Sequence, residues 1–78
     1  MQEIVFALHD LKELTEDSTV PKNVKARAEE AIKLLQDANT MNVSKAVELL
    51  VEVSEDQNMQ PQTRTQIMNI LSKLEQGR

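Results

Sequence analysis

The stretch LTEDSTVP, residues 14–21, closes one apolar stripe and opens another, and its near repetition as VSEDQNMQP at residues 53–61 decides the fold. In both places a hydrophobic residue is followed by a hydroxyl side chain, two acids, a polar turn and a proline. Proline lacks an N–H and fixes φ, so it breaks a helix interior but fits a first helical turn, where the N–H has no intrahelical acceptor. Each stretch therefore reads as a connection between two helices. Pro21 is a helix starter with Ser18 or Thr19 as the cap, and Asn58 is the counterpart cap in the second stretch.

Four helical stripes extend outward from these turns. At about 100° per residue, Ile4, Ala7, Leu8, Leu11 and Leu14 share one arc of a first helix over residues 2–15. Val24, Ala28, Ala31, Ile32, Leu34 and Leu35 form the buried face of a second, over residues 19–37, with Asn39 as a stop signal. A third helix over residues 42–54 carries Val43, Ala46, Val47, Leu49, Leu50, Val51 and Val53, an arc wide enough to predict the most buried helix. Ile67, Ile70, Leu71 and Leu74 mark a fourth, over residues 59–75.

Sliding the chain along itself shows a repeat of about 40 residues. Leu11, Leu14, Thr15, Glu16 and Asp17 fall on Leu50, Val53, Ser54, Glu55 and Asp56 at a shift of 39. Pro21, Lys33, Leu34 and Gln36 fall on Pro61, Lys73, Leu74 and Gln76 at a shift of 40, which predicts one extra residue in the second connection. The expected architecture is all-α: a single domain over residues 1–78, a four-helix antiparallel bundle of two tandem αα-hairpin repeats, about 2–38 and 42–76. Charge follows the same period. Residues 1–20 hold five acids and one base, 21–33 two and four, 34–60 five and one, and 61–78 one and three. Acidic helices thus alternate with neutral-to-basic ones, which favours antiparallel neighbours of opposite sign, each exposed pair contributing only about 0–1 kcal/mol.

Composition narrows the function. With 40% hydrophobic residues, one glycine and two prolines in 78 residues, the chain has enough apolar surface to fold and too few breakers for a β protein. There is no cysteine, which removes disulfides, thiolate metal sites and cysteine nucleophiles. No apolar run approaches the roughly 20 residues of a membrane span or the pattern of a signal peptide, so the chain reads as untargeted and cytoplasmic. The net charge of −4 opposes general attraction to nucleic acid and anionic lipid.

Catalytic constellations are thin. His9 and Glu13 stand four residues apart on one helix face, with Glu16 nearby, but a lone histidine without HExxH does not make a metal site. Glu16 with Asp17 and Glu55 with Asp56 could be drawn as acid–base pairs, yet both lie at helix ends, where aspartate bonds to turn N–H groups. The serines have neither a GxSxG setting nor a histidine other than His9, and Gly77 alone cannot build a phosphate loop. The expectation is a protein that is not an enzyme and holds no cofactor or metal.

The second half of the chain reads NMQPQTRTQIMNILSKLE over residues 58–75, and the first half reads SxVPxNVxxxAEEAI through Ser18, Val20, Pro21, Asn23, Val24, Ala28, Glu29, Glu30, Ala31 and Ile32. Across nearly the whole chain this resembles uncharacterised protein family 0147, a group of short archaeal proteins. The resemblance implies a compact four-helix bundle and brings no catalytic or binding residue with it. Where the family often carries tryptophan after the isoleucine of TRTxI, this chain has Met68. A looser resemblance is to HEAT repeats, whose paired helices often bear a proline and then VR-type residues at the start of the second helix; Val24, Lys25, Ala28 and Ala31 fit that pattern. Two repeats are too few for an open solenoid, so the hairpins should close on each other.

Two binding readings follow. The leading one is a protein–protein interaction module, with a second copy of the chain among the candidate partners. Phe6 lies about 160° from the centre of its helix's stripe, beside Val5, and Met68 also lies off its stripe; these three are the candidate interface. The alternative is a nucleic-acid or ribosome-associated factor using Lys22, Lys25 and Arg27 on the second helix, although aromatic stacking platforms are missing because Phe6 is the sole aromatic residue.

Overall fold

A computed structural model of the chain describes residues 2–37 and 39–76. Four α-helices account for most of them: α1 Gln2–Glu16, α2 Lys22–Gln36, α3 Thr40–Ser54 and α4 Pro61–Gln76. Helix α1 packs on α2 and α4, and α3 packs on the same two, while the diagonal pairs stay apart. With such short connections, this ring is an antiparallel up-down-up-down four-helix bundle, 30 × 18 × 18 Å along its Cα axes. HEAT-like stacking would instead set α1 on α3 and α2 on α4. No described helix is long and apolar enough to cross a membrane.

The ring closes because each helix carries an apolar stripe that its hairpin partner covers only in part. Leu11, Leu14, Leu35, Leu50, Ile67, Ile70 and Leu74 are fully buried at the centre. Ile4, Leu8, Ile32 and Leu34 pack around them, half-buried. The core is wholly aliphatic apart from Met59 and the buried Thr63, and no buried side-chain nitrogen or oxygen among the described residues lacks a hydrogen-bond partner. The third helix is not singularly buried as its wide arc predicts. Helices α3 and α4 each bury five residues, and Val51 turns outward at 44% exposure.

Burial fixes the repeat at 39 residues throughout. Ala7, Leu11, Leu14, Val20, Val24, Ala28, Ala31 and Leu35 are buried, and so are Ala46, Leu50, Val53, Met59, Thr63, Ile67, Ile70 and Leu74, each 39 positions later. The shift of 40 suggested by the prolines is therefore a misreading, and no residue is inserted. Pro21 stands just before α2, with φ −59° and ψ 151°, whereas Pro61 is the first residue of α4. Both sites precede the first N–H that needs a helical acceptor, so proline is tolerated at either. Leu35, not Leu34, is the equivalent of Leu74.

The two turns share their central hydrogen bonds. Asp17 N–H donates to Leu14 O at 3.3 Å and Asp56 N–H to Val53 O at 3.0 Å. Asp17 Oδ1 accepts from Thr19 N–H at 2.9 Å, as Asp56 Oδ1 accepts from Asn58 N–H at 2.8 Å. Thr19 and Asn58, read as caps from the sequence, are thus donors in Asx turns. Asn39 is also reassigned. Its Oδ1 accepts from Asn42 N–H at 2.8 Å, capping α3 instead of ending α2, and α3 begins at Thr40 rather than residue 42.

Arg64 distinguishes the second turn. Its Nε donates to Ser54 O at 3.2 Å and its Nη2 to Asp56 O at 2.7 Å, both part-buried. Asn23 Nδ2, from α2, donates to Asp56 Oδ2 at 2.6 Å and so ties this turn to the other hairpin. Lys25 occupies the matching place over the first turn, 39 residues earlier, without a guanidinium fork. Asp17 is held below the usual carboxylate range by the Thr19 hydroxyl and N–H, with Lys25 adding a smaller attraction. Asp56 is lowered by the Asn58 N–H and then the Asn23 amide.

Three outcomes are expected. Ile67→Ala, at the closed centre, should lower stability by about 2–5 kcal/mol, while Val51→Ala should stay within about 0.5 kcal/mol, as read by urea denaturation. Arg64→Ala should cost about 1–3 kcal/mol by orphaning turn carbonyls, and Lys25→Ala less than about 1 kcal/mol. Because both aspartates have lowered folded-state pKa values, their contribution is complete above the ordinary value of about 4 and is lost as pH falls through the lowered one. A double Asp17→Asn, Asp56→Asn variant should therefore lose less stability than the parent between neutral pH and about pH 2; equal losses in urea midpoint would refute this account.

Candidate functional site

The ionisable cluster on α1 forms around Asp10 rather than Glu16. One ligand atom from each of His9, Asp10 and Glu13 lies within 4.8 Å of the others, on the open surface of the helix. His9 Nδ1 is 3.6 Å from Asp10 Oδ1, and Asp10 Oδ2 is paired with Lys73 Nζ of α4 at 3.3 Å. A cation would have to compete with Lys73 for that carboxylate. His9 and Glu13 are exposed, and neither lines the groove between α1 and α2.

Lys73 also sets the environment of Phe6. Its Nζ stands 5.1 Å from the centroid of the Phe6 ring, within reach of a cation–π attraction. Phe6 is 54% exposed, yet it already serves the α1–α4 seam as a platform for a lysine that bridges to Asp10. Val5 belongs to the other edge of α1. It shares a face at helical spacing with Leu8 and Lys12, which line the groove toward α2. Met68 follows Arg64 by four residues and precedes Leu71 by three, on the edge of α4 that Arg64 directs toward α3. The three residues of the candidate interface therefore sit at three different seams of the bundle and do not form one patch.

The basic set of α2 is dispersed as well. Lys22 and Arg27 are exposed and Lys25 is half-buried. Lys25 faces the Asp17 turn, and Arg27 lines a small cleft together with Glu52 and Asp56. Lys25 and Arg27 thus have acids close by, and the local potential around them is mixed.

The grooves between paired helices differ in chemistry despite their common geometry. Between α1 and α2 runs an open groove of about 560 Å³ with Leu8 and Ile32 on its floor and Lys12, Glu29 and Lys33 on its walls. Thr15 and Gln36 complete its lining. Advancing each position by the 39-residue repeat gives the corresponding surface on α3 and α4: Val47 and Leu71 on the floor, Val51, Ser54, Met68 and Ser72 on the walls, and Glu75 at one end. The three charged wall positions of the first repeat, Lys12, Glu29 and Lys33, become Val51, Met68 and Ser72, while the neutral Gln36 becomes an acid. Val47 and Leu71 are each 8% exposed, while Val51 and Met68 are 44% and 53% exposed. Sequence reading found Met68 but assigned Val51 to the core. The signal that would have found Val51 was the repeat itself, which sets it opposite the plainly solvated Lys12.

Comparison with known proteins agrees with this architecture. A crystal structure of MMP1188, a protein of unknown function, superposes with a TM-score of 0.86 at 37% sequence identity, covering 94% of this chain and 86% of that one. A UPF0147 protein of Thermococcus kodakarensis, TK2131, is 38% identical over 79 residues, spanning 97% of this chain and 93% of the relative. Another from Methanocaldococcus jannaschii, MJ1419, is 41% identical over 68 residues, spanning 83% of this chain and 73% of the relative. Residues 1–76 match the family described as Uncharacterised protein family (UPF0147). The closed bundle, the duplicated turns and these matches have one conclusion: the chain belongs to UPF0147, a family of archaeal proteins whose function is unknown.

Proposed function

We propose that this protein acts by binding another protein surface and carries out no catalysis of its own. The observation that supports the reading is the α3–α4 face, where Val51 and Met68 stand exposed above Val47 and Leu71 at positions that the first repeat fills with Lys12 and Glu29. Neutral, apolar walls over an apolar floor are the chemistry of an interface centre, where charged residues are depleted and methionine is enriched. Catalysis draws less support, because Asp17 and Asp56 hold their turns and His9 lies on an open helix surface. A nucleic-acid role through Lys22, Lys25 and Arg27 is weakened by the acids beside Lys25 and Arg27. The cysteine-free sequence suits the reducing cytoplasm, where we place the protein.

Capture of tagged protein from nuclease-treated lysate tests the reading when parent and variants are compared. A bound protein should survive nuclease, fall at least about tenfold with Met68→Glu, as loss of an interface anchor does, and be unaffected by Lys22→Glu with Arg27→Glu. Retention that vanishes with nuclease and with the two charge reversals, yet ignores Met68→Glu, would overturn the proposal in favour of nucleic acid.

A further inference from the structure

We infer that the partner met by the α3–α4 face is a second copy of this chain, in a two-fold dimer with Met68 of each copy seated between Val51 and Leu71 of the other. The inference rests on the protein-binding reading and adds the identity of the partner. Its basis is the charge pattern of α4. From Pro61 to Ser72 this helix carries a single charged side chain, Arg64, whose guanidinium donates to the main-chain oxygens of Ser54 and Asp56 in its own turn. The exposed residues of the segment, among them Gln62, Thr65, Gln66, Met68 and Ser72, are uncharged. Helices α1, α2 and α3 all carry exposed charges along their outer surfaces.

A two-fold interface brings the same patch to both sides, so a charge near the axis meets its own copy. For a chain of net charge −4, self-association needs a face on which like charges are absent from the centre. The outer surface of α4 from Pro61 to Ser72 meets that requirement; of the acids around Val51 and Ser72, Glu48 lines the cleft toward α2, and Glu55 and Glu75 stand at the ends of α3 and α4. A strongly charged partner would instead be matched by a complementary charged face, which this one is not.

The dimensions are compatible with a dimer that depends on concentration. The whole face, 30 by 18 Å on Cα atoms, would bury about 1,080 Å² in a pair, near the lower bound of about 1,200 Å² for specific interfaces. The uncharged stretch of α4 covers only about 18 Å of that length, so the contact is that of a weak dimer. The walls supply apolar area on both sides, and the neutral amides and hydroxyls around them provide a polar rim.

Sedimentation velocity of the purified chain over a concentration series tests the inference. The expected result is a shift from the monomer mass of 8.9 kDa toward twice that value. The shift should be lost in Met68→Glu and in Ser72→Glu, the latter an exposed polar site whose substitution cannot disturb the core. Lys12→Glu, at the equivalent place on the α1–α2 face, should dimerise as the parent does, and circular dichroism should show every variant helical. A parent that stays monomeric up to about 1 mM, or a dimer indifferent to both Met68→Glu and Ser72→Glu, overturns the inference. If the parent is monomeric but Met68-dependent capture of a different protein persists, the homodimer fails and the protein-binding reading stands. Loss of both behaviours removes both.

Discussion

Neither hairpin of this protein can cover its own apolar stripe, and that deficit organises everything else. Two helices in contact leave the far side of each stripe open to water. Only when Leu11 and Leu14 of the first hairpin meet Leu50, Ile67, Ile70 and Leu74 of the second do these side chains become fully buried. In a chain of 78 residues without disulfide or aromatic core, the aliphatic contacts have little in reserve. The turns must therefore deliver the helices in register. They do so with carboxylates that accept from the backbone two residues ahead.

The same demand explains why the two halves match inside and diverge outside. At eight pairs of buried positions 39 residues apart, the side chains are apolar in both halves except for Thr63 opposite Val24. The outer walls are free of that constraint. Lys12 and Glu29 keep one groove solvated, while Val51 and Met68 leave the other apolar. Packing repeats because the core must be filled twice, whereas surface chemistry is available for recognition.

Much of this was legible in the sequence, and the exceptions have physical causes. Helical periodicity located the four stripes because nearly every buried residue is aliphatic. The register of the second pair went astray because Pro21 and Pro61 look equivalent; either of two adjacent positions accepts a residue without an N–H, so proline marks a helix start only to within a residue. Asn39 was misassigned for a related reason, since asparagine serves both to stop a helix and to cap the next. Phe6 was correctly placed off the core, but its lysine partner comes from a helix 67 positions along the chain (73 − 6), and no local pattern announces that contact. Val51 was hidden by belonging to a valine-rich helix. The features of the candidate interface were therefore partly visible one by one, while their grouping into faces needed the helix neighbours to be known.

The seam between α1 and α4 stands apart from the other three in one respect. It joins the two ends of the chain, and its ion pair, Lys73 with Asp10, spans 63 residues of sequence, whereas each turn joins helices across a handful. Loop-closure entropy rises with the logarithm of that span, so sealing this seam costs about 2 kcal/mol more than closing a six-residue connection. The hairpins are kinetically local objects, and the bundle is the loop that links them. Lys73, bonded at once to a carboxylate and to the face of an aromatic ring, sits where that loop is shut, making the outermost contact of α1 with α4 the clasp of the whole chain.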